Sequence, residues 1–320
     1  MNKLTRRELG LLIAAGAFSH RAMSAEAPVV LPGVVGLAEA QAGLGKPLGR
    51  EVAQAAVARA VQVAAGQESA AAAAVRLFRP EDTVGIKVNC LAGRNLSPRV
   101  ELVEALVDLI AGAGVDRRRI IVFERSSREL RRAGFSIRDQ GPPYRCIGTD
   151  NDYDSGPSDS GSIGSCFAKL VSTECTALVS FGVVKDHDLS GVSAGMKNWY
   201  GVIHNPNKYH DNNCDPYVAD ILRHPFLAGK LRLTVLDGVQ AQCQGGPAFY
   251  GPGLFPLGKV AASVDPVAAD LWAWRVIDEE RVRRGMPTLE EDDRLPKFIA
   301  TAERHGLGIG DPAKLRTVAT

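Results

Sequence analysis

Within the fourteen residues His204 to Tyr217 the chain reads His-Asn-Pro-Asn-Lys-Tyr-His-Asp-Asn-Asn-Cys-Asp-Pro-Tyr. Two imidazoles, a thiol, two carboxylates and four amides sit there with almost nothing to bury. His204, His210 and Cys214 offer the nitrogen and sulfur donors that zinc, iron or copper prefer, and Asp211 and Asp215 add oxygen. Asn205-Pro206 disfavours a regular helix, so ligands would converge from a loop. The spacing matches no standard zinc motif. Three readings stay open. One is a transition-metal site, zinc or iron, built from His204, His210, Cys214 and Asp215 with His187 nearby. Another is an acid–base or substrate-binding loop without metal. The last is a structural loop whose amides cap turns.

Just upstream, Lys185-Asp186-His187-Asp188 leads into Leu189-Ser-Gly-Val-Ser-Ala-Gly-Met-Lys197-Asn198. Small residues opening a helix would expose backbone N–H groups to an anion, with Lys197 adding charge. No P-loop spacing is present, so a nucleoside triphosphate is not indicated. Polar groups also end the other apolar runs: Lys87-Val-Asn89-Cys90, Glu124-Arg125-Ser126-Ser127, Asp237-Gly238 and Asp265-Pro266. In open parallel sheets, ligands bind beyond the carboxyl ends of the strands. The expected division of labour is that His187, Lys185, Lys197 and Asp237 carry chemistry. Lys87, Asn89, Asn198 and Asp265 hold the substrate or cofactor. Cys90 is readable as a nucleophile or as an inert packing residue.

These residues need a scaffold, and the pattern supplies one. Strands are expected over 83–89, 119–123, 177–184, 231–236 and 259–264. Helices are expected over 50–65, 98–113, 267–284 and about 295–305. In the second of these helices Leu102, Leu106, Leu109 and Ile110 keep helical spacing. Apolar strands alternating with amphipathic helices predict an α/β fold, a mostly parallel central sheet with helices on both faces. Residues 28–320 read as a single domain, with 28–47 running over the surface. The segment 148–165 is a polar insertion: its aspartates invite a calcium-loop reading, but Gly156 is one place late and no closing glutamate follows. Gln244-Gly-Gly-Pro247 and Gly251-Pro-Gly253 suggest a lid or rim. Gly306-Leu-Gly-Ile-Gly310 does not follow a strand as a dinucleotide fingerprint must.

The 320 residues carry 38 basic and 36 acidic side chains, a net charge of +2 that favours no nucleic-acid partner. Arg6-Arg7, the apolar run Leu9 to Phe18 and Ala25-Glu26-Ala27 read together as a twin-arginine export signal over 1–27. The expected location is therefore the periplasm, with the twin-arginine translocase as a passing partner and no stable membrane anchor after cleavage. The apolar run is too short to span a bilayer. The six cysteines are scattered and form no Cys-x-x-Cys, which argues against an iron–sulfur cluster.

Several motifs recur in a recognisable order. They are Val84-Gly-Ile-Lys87-Val-Asn89, Lys185-Asp-His187 with Gly191, Lys197-Asn198-Trp-Tyr-Gly201 and Leu236-Asp237-Gly238. Gly245-Gly246-Pro247, Ser263-Val-Asp265-Pro-Val-Ala-Ala-Asp270 and Gly306-Leu-Gly308 complete the set. Together they resemble the bacterial and archaeal family known as domain of unknown function three-six-two. Some members of that family carry ferredoxin-type cysteine clusters, which this chain lacks. The resemblance implies that the Lys-Asn, Asp-Gly and Asp-Pro-Val-Ala positions share one architecture, and it transfers no catalytic role. The functional expectation is an exported, metal- or cofactor-dependent enzyme acting on a small anion. The alternatives are a non-catalytic binding protein for metal or anion, and a redox accessory protein.

Overall fold

The computed structural model describes residues 31–141 and 143–319, so the export signal expected over 1–27 lies outside them. The chain opens with β1 (Val34–Glu39), α1 (Arg50–Ala64), α2 (Ala70–Leu77), β2 (Val84–Val88) and α3 (Val100–Gly112). There follow β3 (Ile120–Glu124), α4 (Ser127–Ala133), β4 (Arg145–Gly148) and a hairpin of β5 (Ser158–Ser160) and β6 (Ile163–Ser165). Next come β7 (Ala177–His187), β8 (Gly191–Ser193), α5 (Tyr217–Arg223), α6 (Pro225–Ala228), β9 (Leu231–Gln242) and β10 (Leu254–Phe255). The last elements are β11 (Lys259–Ser263), α7 (Pro266–Arg283), α8 (Lys297–Arg304) and β12 (Arg316–Ala319).

One ten-stranded sheet runs in the order β12-β1-β11-β9-β7-β2-β3-β4, with β10 on β9 and β8 on β7. From β9 to β4 all neighbours are parallel. Because side chains alternate across a strand, the unbroken apolar run of β3 feeds two cores. Ile120 and Val122 pack with Val57, Leu102 and Leu106 of α1 and α3. Ile121 and Phe123 join the opposite cluster with Leu222, Leu271 and Ile299 of α5, α7 and α8. Helices cover both faces, as the alternation predicted, and the fold is α/β. Among the described residues no helix is long and apolar enough to cross a membrane.

The chain leaves β2 toward β3 and β4, then returns on the other side of β2 as β7 and continues to β9. The carboxyl ends of β2 and β7 therefore flank the switch point of the winding, where such sheets open a crevice.

Four sequence expectations change here. The segment 28–47 does not simply run over the surface, because Val34–Glu39 is an inner strand between β11 and β12. Its Gly36 is required by close approach, since a Cβ there would lie 2.4 Å from the Ala60 carbonyl oxygen of α1. The alanine-rich α2 was unforeseen; it is capped by Ser69, whose hydroxyl accepts the Ala72 N–H. Strand β9 does not stop at Leu236 but runs to Gln242, so Asp237 lies mid-strand. Finally β11 is antiparallel to β9, so Asp265 leaves the sheet at the opposite edge from the crevice.

Candidate active site

A cavity of about 340 Å³ opens at the carboxyl ends of β2, β3 and β7, walled by Lys87, Glu124, His187, Lys197, Tyr200 and His210, among others. Its foundation is a buried tie. Lys87 Nζ donates to Glu124 Oε1 at 2.6 Å, to the Val88 carbonyl at 2.7 Å and to Asn198 Oδ1 at 3.1 Å. Glu124 Oε2 in turn accepts the Cys90 N–H at 2.7 Å. Asn198 returns its Nδ2 to the Lys87 carbonyl and to Ser180 Oγ. Four segments, β2, β3, β7 and the turn bearing Asn198, are thereby locked together. Gly201 makes room for the tie, because a Cβ there would stand 2.6 Å from Lys87 Cε and 2.7 Å from Nζ.

Two other lysines are differently placed. Lys185 is fully buried behind the cavity wall, with Nζ 3.3 Å from both Asn89 Oδ1 and the Pro247 carbonyl. Lys197 lines the cavity, with Nζ 3.1 Å from His210 Nε2 and 4.5 Å from the Tyr200 ring centre. Among the described residues neither has a carboxylate partner within ion-pair distance, whereas Lys87 does. Burial pushes both Lys185 and Lys197 down to about 8. The cause is desolvation, which penalises the charged form.

The two histidines stack with ring centres 5.9 Å apart. His210 Nδ1 lies 3.0 Å from the Pro206 carbonyl, a contact that needs the proton on Nδ1 and leaves the Nε2 lone pair for Lys197. Burial and the Lys197 charge hold His210 below its usual value. His187 shows the other tautomer: Nδ1 accepts the Leu189 N–H at 3.1 Å, leaving the proton on Nε2. Burial, then Lys197, push His187 down to about 2. The Asp188 carboxylate, 2.9 Å from the same Nδ1, would favour a charged ring, but it is well exposed and too screened to outweigh burial.

The profile of the domain of unknown function DUF362 matches residues 84–275, more than half of the chain. The chain belongs to the DUF362 family. No match was found among curated proteins. Among solved structures, a Thermotoga maritima protein determined as a structural-genomics target is similar at 11% identity and a TM-score of 0.44. The match covers 76% of this chain and 61% of that one, so this chain spans about three-fifths of the neighbour's length. Every residue lining the cavity lies inside the DUF362 segment.

Within that segment the sequence-predicted residues divide. Lys87, Asn89, His187, Lys197, Asn198 and His210 all line the cavity, and Lys185 backs it. Lys87 and Asn198, expected to hold substrate, spend their hydrogen bonds on each other and on Glu124 and the backbone. Asp237 is elsewhere, accepting from Arg99 Nη1 at 3.0 Å and from the Arg99 backbone at 2.9 Å. Asp265 caps α7 through the Val267 and Ala268 N–H groups and also accepts from Gly33 and Ile309. Both carboxylates hold structure in this chain and stand outside the cavity lining.

The expected metal ligands do not gather. His204 turns to Ser165 Oγ at 3.2 Å, and Cys214 Sγ lies 3.9 Å from the His210 carbonyl. Asp215 has a buried Oδ1 with no hydrogen-bond partner. Among the described residues no group of three or more His, Cys, Asp or Glu side chains is placed to hold a metal ion. The anion reading of the helix opening also changes. Gly195 and Met196 N–H groups already meet the buried Asp270 carboxylate at 2.7 and 3.1 Å. The helix that follows, Lys197–Val202, is a short 3-10 turn. Asp150, Asp152 and Asp154 of the polar insertion point to three different partners, Ser127, Lys169 and Ser172. All six cysteines are free thiols, and burial raises Cys90 well above its usual value, against a nucleophilic role.

Reading strand ends singly hid three residues. Glu124 and Arg125 were visible as a polar strand end, but nothing local pairs Glu124 with Lys87. Asp186 was visible too, yet its work is to hold the cavity rim. It accepts the Gly246 N–H at 2.8 Å and the Arg294 guanidinium at 3.1 Å, placing Pro247 against the cavity.

Proposed function

We propose that the cavity binds a small organic anion and performs acid–base chemistry on it. The observation that carries this reading is the pair of buried ammonium groups, Lys185 and Lys197, without carboxylate partners among the described residues. An unpaired buried charge is costly, and a ligand carboxylate would relieve it. Asn89, whose Oδ1 is held by Lys185 from behind the wall, meets the anion, and partly exposed Arg125 draws it in. Lys197 and His210 form the proton-transferring couple, because an amine titrating near 8 can both give and take a proton at neutral pH. His187 offers a neutral Nε2–H donor.

Isothermal titration with acetate, succinate, citrate and phosphate tests this reading. Binding of at least one carboxylate, lost in Lys197→Met, is the expected result; heats indistinguishable from dilution for the whole panel would sink it. A second reading, a non-catalytic anion-binding protein, uses the same cavity, and turnover of any bound acid separates the two. Export rests on Arg6-Arg7, the apolar Leu9 to Phe18 and the small residues to Ala27. We propose the twin-arginine route to the periplasm. N-terminal sequencing of the periplasmic fraction should then begin at Pro28, and an uncleaved chain in the cytoplasm would reject it.

A further inference from the structure

Resting on that anion-binding reading, we infer that the substrate carries a carbonyl group beside its carboxylate, a 2-oxo acid, and that Lys197 forms an imine with it. The three lysines differ in what holds them. Lys87 is held by a carboxylate and two further acceptors, so its nitrogen has no freedom to react. Lys185 lies behind Asn89 and Pro247, positioned to hold charge and not to attack. Lys197 alone of the three faces the cavity with no anion fixing its proton, and its nitrogen touches the basic nitrogen of a neutral imidazole. A substrate bearing only a carboxylate would use one of the two unpaired cations and leave the other buried and charged. A 2-oxo acid answers both: its carboxylate accepts from the Asn89 amide that Lys185 holds from behind, and its carbonyl carbon lies against Lys197.

The step balances without a further reactant. Lys197 reacts as the free amine after releasing a proton to solvent, and its lone pair forms the C–N bond. The carbonyl oxygen takes up from solvent the equivalent of the proton that Lys197 released and becomes the hydroxyl of a carbinolamine, while the nitrogen passes its extra proton to His210 Nε2. His210 returns that proton to the hydroxyl, the C–O bond breaks, and water leaves. The product is a protonated imine, the water having formed from the carbonyl oxygen, the proton that Lys197 first released and one amine hydrogen. The lowered affinity of Lys197 for its proton supports the free amine being present near neutral pH.

Borohydride reduction tests the inference on the mature protein. The protein is incubated with pyruvate or 2-oxoglutarate, treated with sodium borohydride, and analysed by intact mass and peptide mapping. The expected result is one stoichiometric reduced adduct on Lys197, absent from Lys197→Arg and slowed in His210→Asn. Because mapping is done on the unaltered protein, a variant that fails to fold does not decide the matter. Adduct spread over exposed lysines, or none at all, overturns the imine. Titration with lactate and propionate, which have no carbonyl, runs in parallel. If these bind and no adduct forms, the imine falls while the anion site stands; if neither the acids nor the oxo acids bind, both readings fall.

Discussion

Glu124 and Lys87 show how one residue pair sets the terms for the rest of the site. Their side chains are almost wholly buried, 5% and 2% exposed, at 2.6 Å. Removing one member leaves the other charged and unpaired, so Glu124→Ala should cost about 3–5 kcal/mol in urea unfolding. Lys197 works in the opposite sense. Its ordinary value of 10.5 falls to about 8 in the folded protein. Between about pH 8 and 10.5 the unfolded chain keeps this proton and the folded chain has lost it, so stability rises with pH across that window. Below pH 8 the cost is fully present, on the order of 3 kcal/mol. Lys197→Met should therefore unfold later than the unaltered protein at pH 7, with the difference closing as pH rises toward 10.5. A difference that stays constant with pH would show that the charge of Lys197 is not what burial penalises.

At the scale of elements, the site depends on close approaches that side chains would block. The 3-10 turn Lys197–Val202 passes over β2 only because residue 201 is glycine. Gly201→Ala would press a methyl group onto Lys87 Nζ, which three acceptors hold in place. An overpacking cost of about 1–3 kcal/mol is expected, together with loss of carboxylate binding in calorimetry. The rim answers to Asp186 at the end of β7, which ties the loop at Gly246 to Arg294. Asp186→Asn should loosen that loop while leaving every charge inside the cavity in place. Faster amide exchange across residues 244–253 with weakened anion binding is the expected signature; unchanged exchange would mean that other contacts hold the rim.

For the whole molecule, an anion that binds only the folded state must raise its stability by mass action. At a hundred times its dissociation constant the gain is about 2.7 kcal/mol, readable as a rise in Tm. That rise should vanish in Lys197→Met if the cavity is the site. The extent to which this molecule could be read from its chain follows from the range of the forces involved. Apolar alternation and helical spacing are local, so β2, β3, β7, α3 and α7 were visible in the sequence. So was the concentration of Lys185, His187, Lys197 and His210 after one strand. Strand direction is not local. Only pairing with β9 turns β11 around and carries Asp265 to the far edge, and only its neighbours extend β9 through Asp237. Partner choice is not local either: Glu124 meets Lys87 across 37 positions, and Asp270 fills the turn at Gly195 across 75. Residue type and spacing thus determined which groups were available for chemistry. Tertiary packing decided which of them are used up by one another and which lysine, Lys197, is left lining the cavity without a carboxylate partner among the described residues, because burial and pairing are properties of the folded chain.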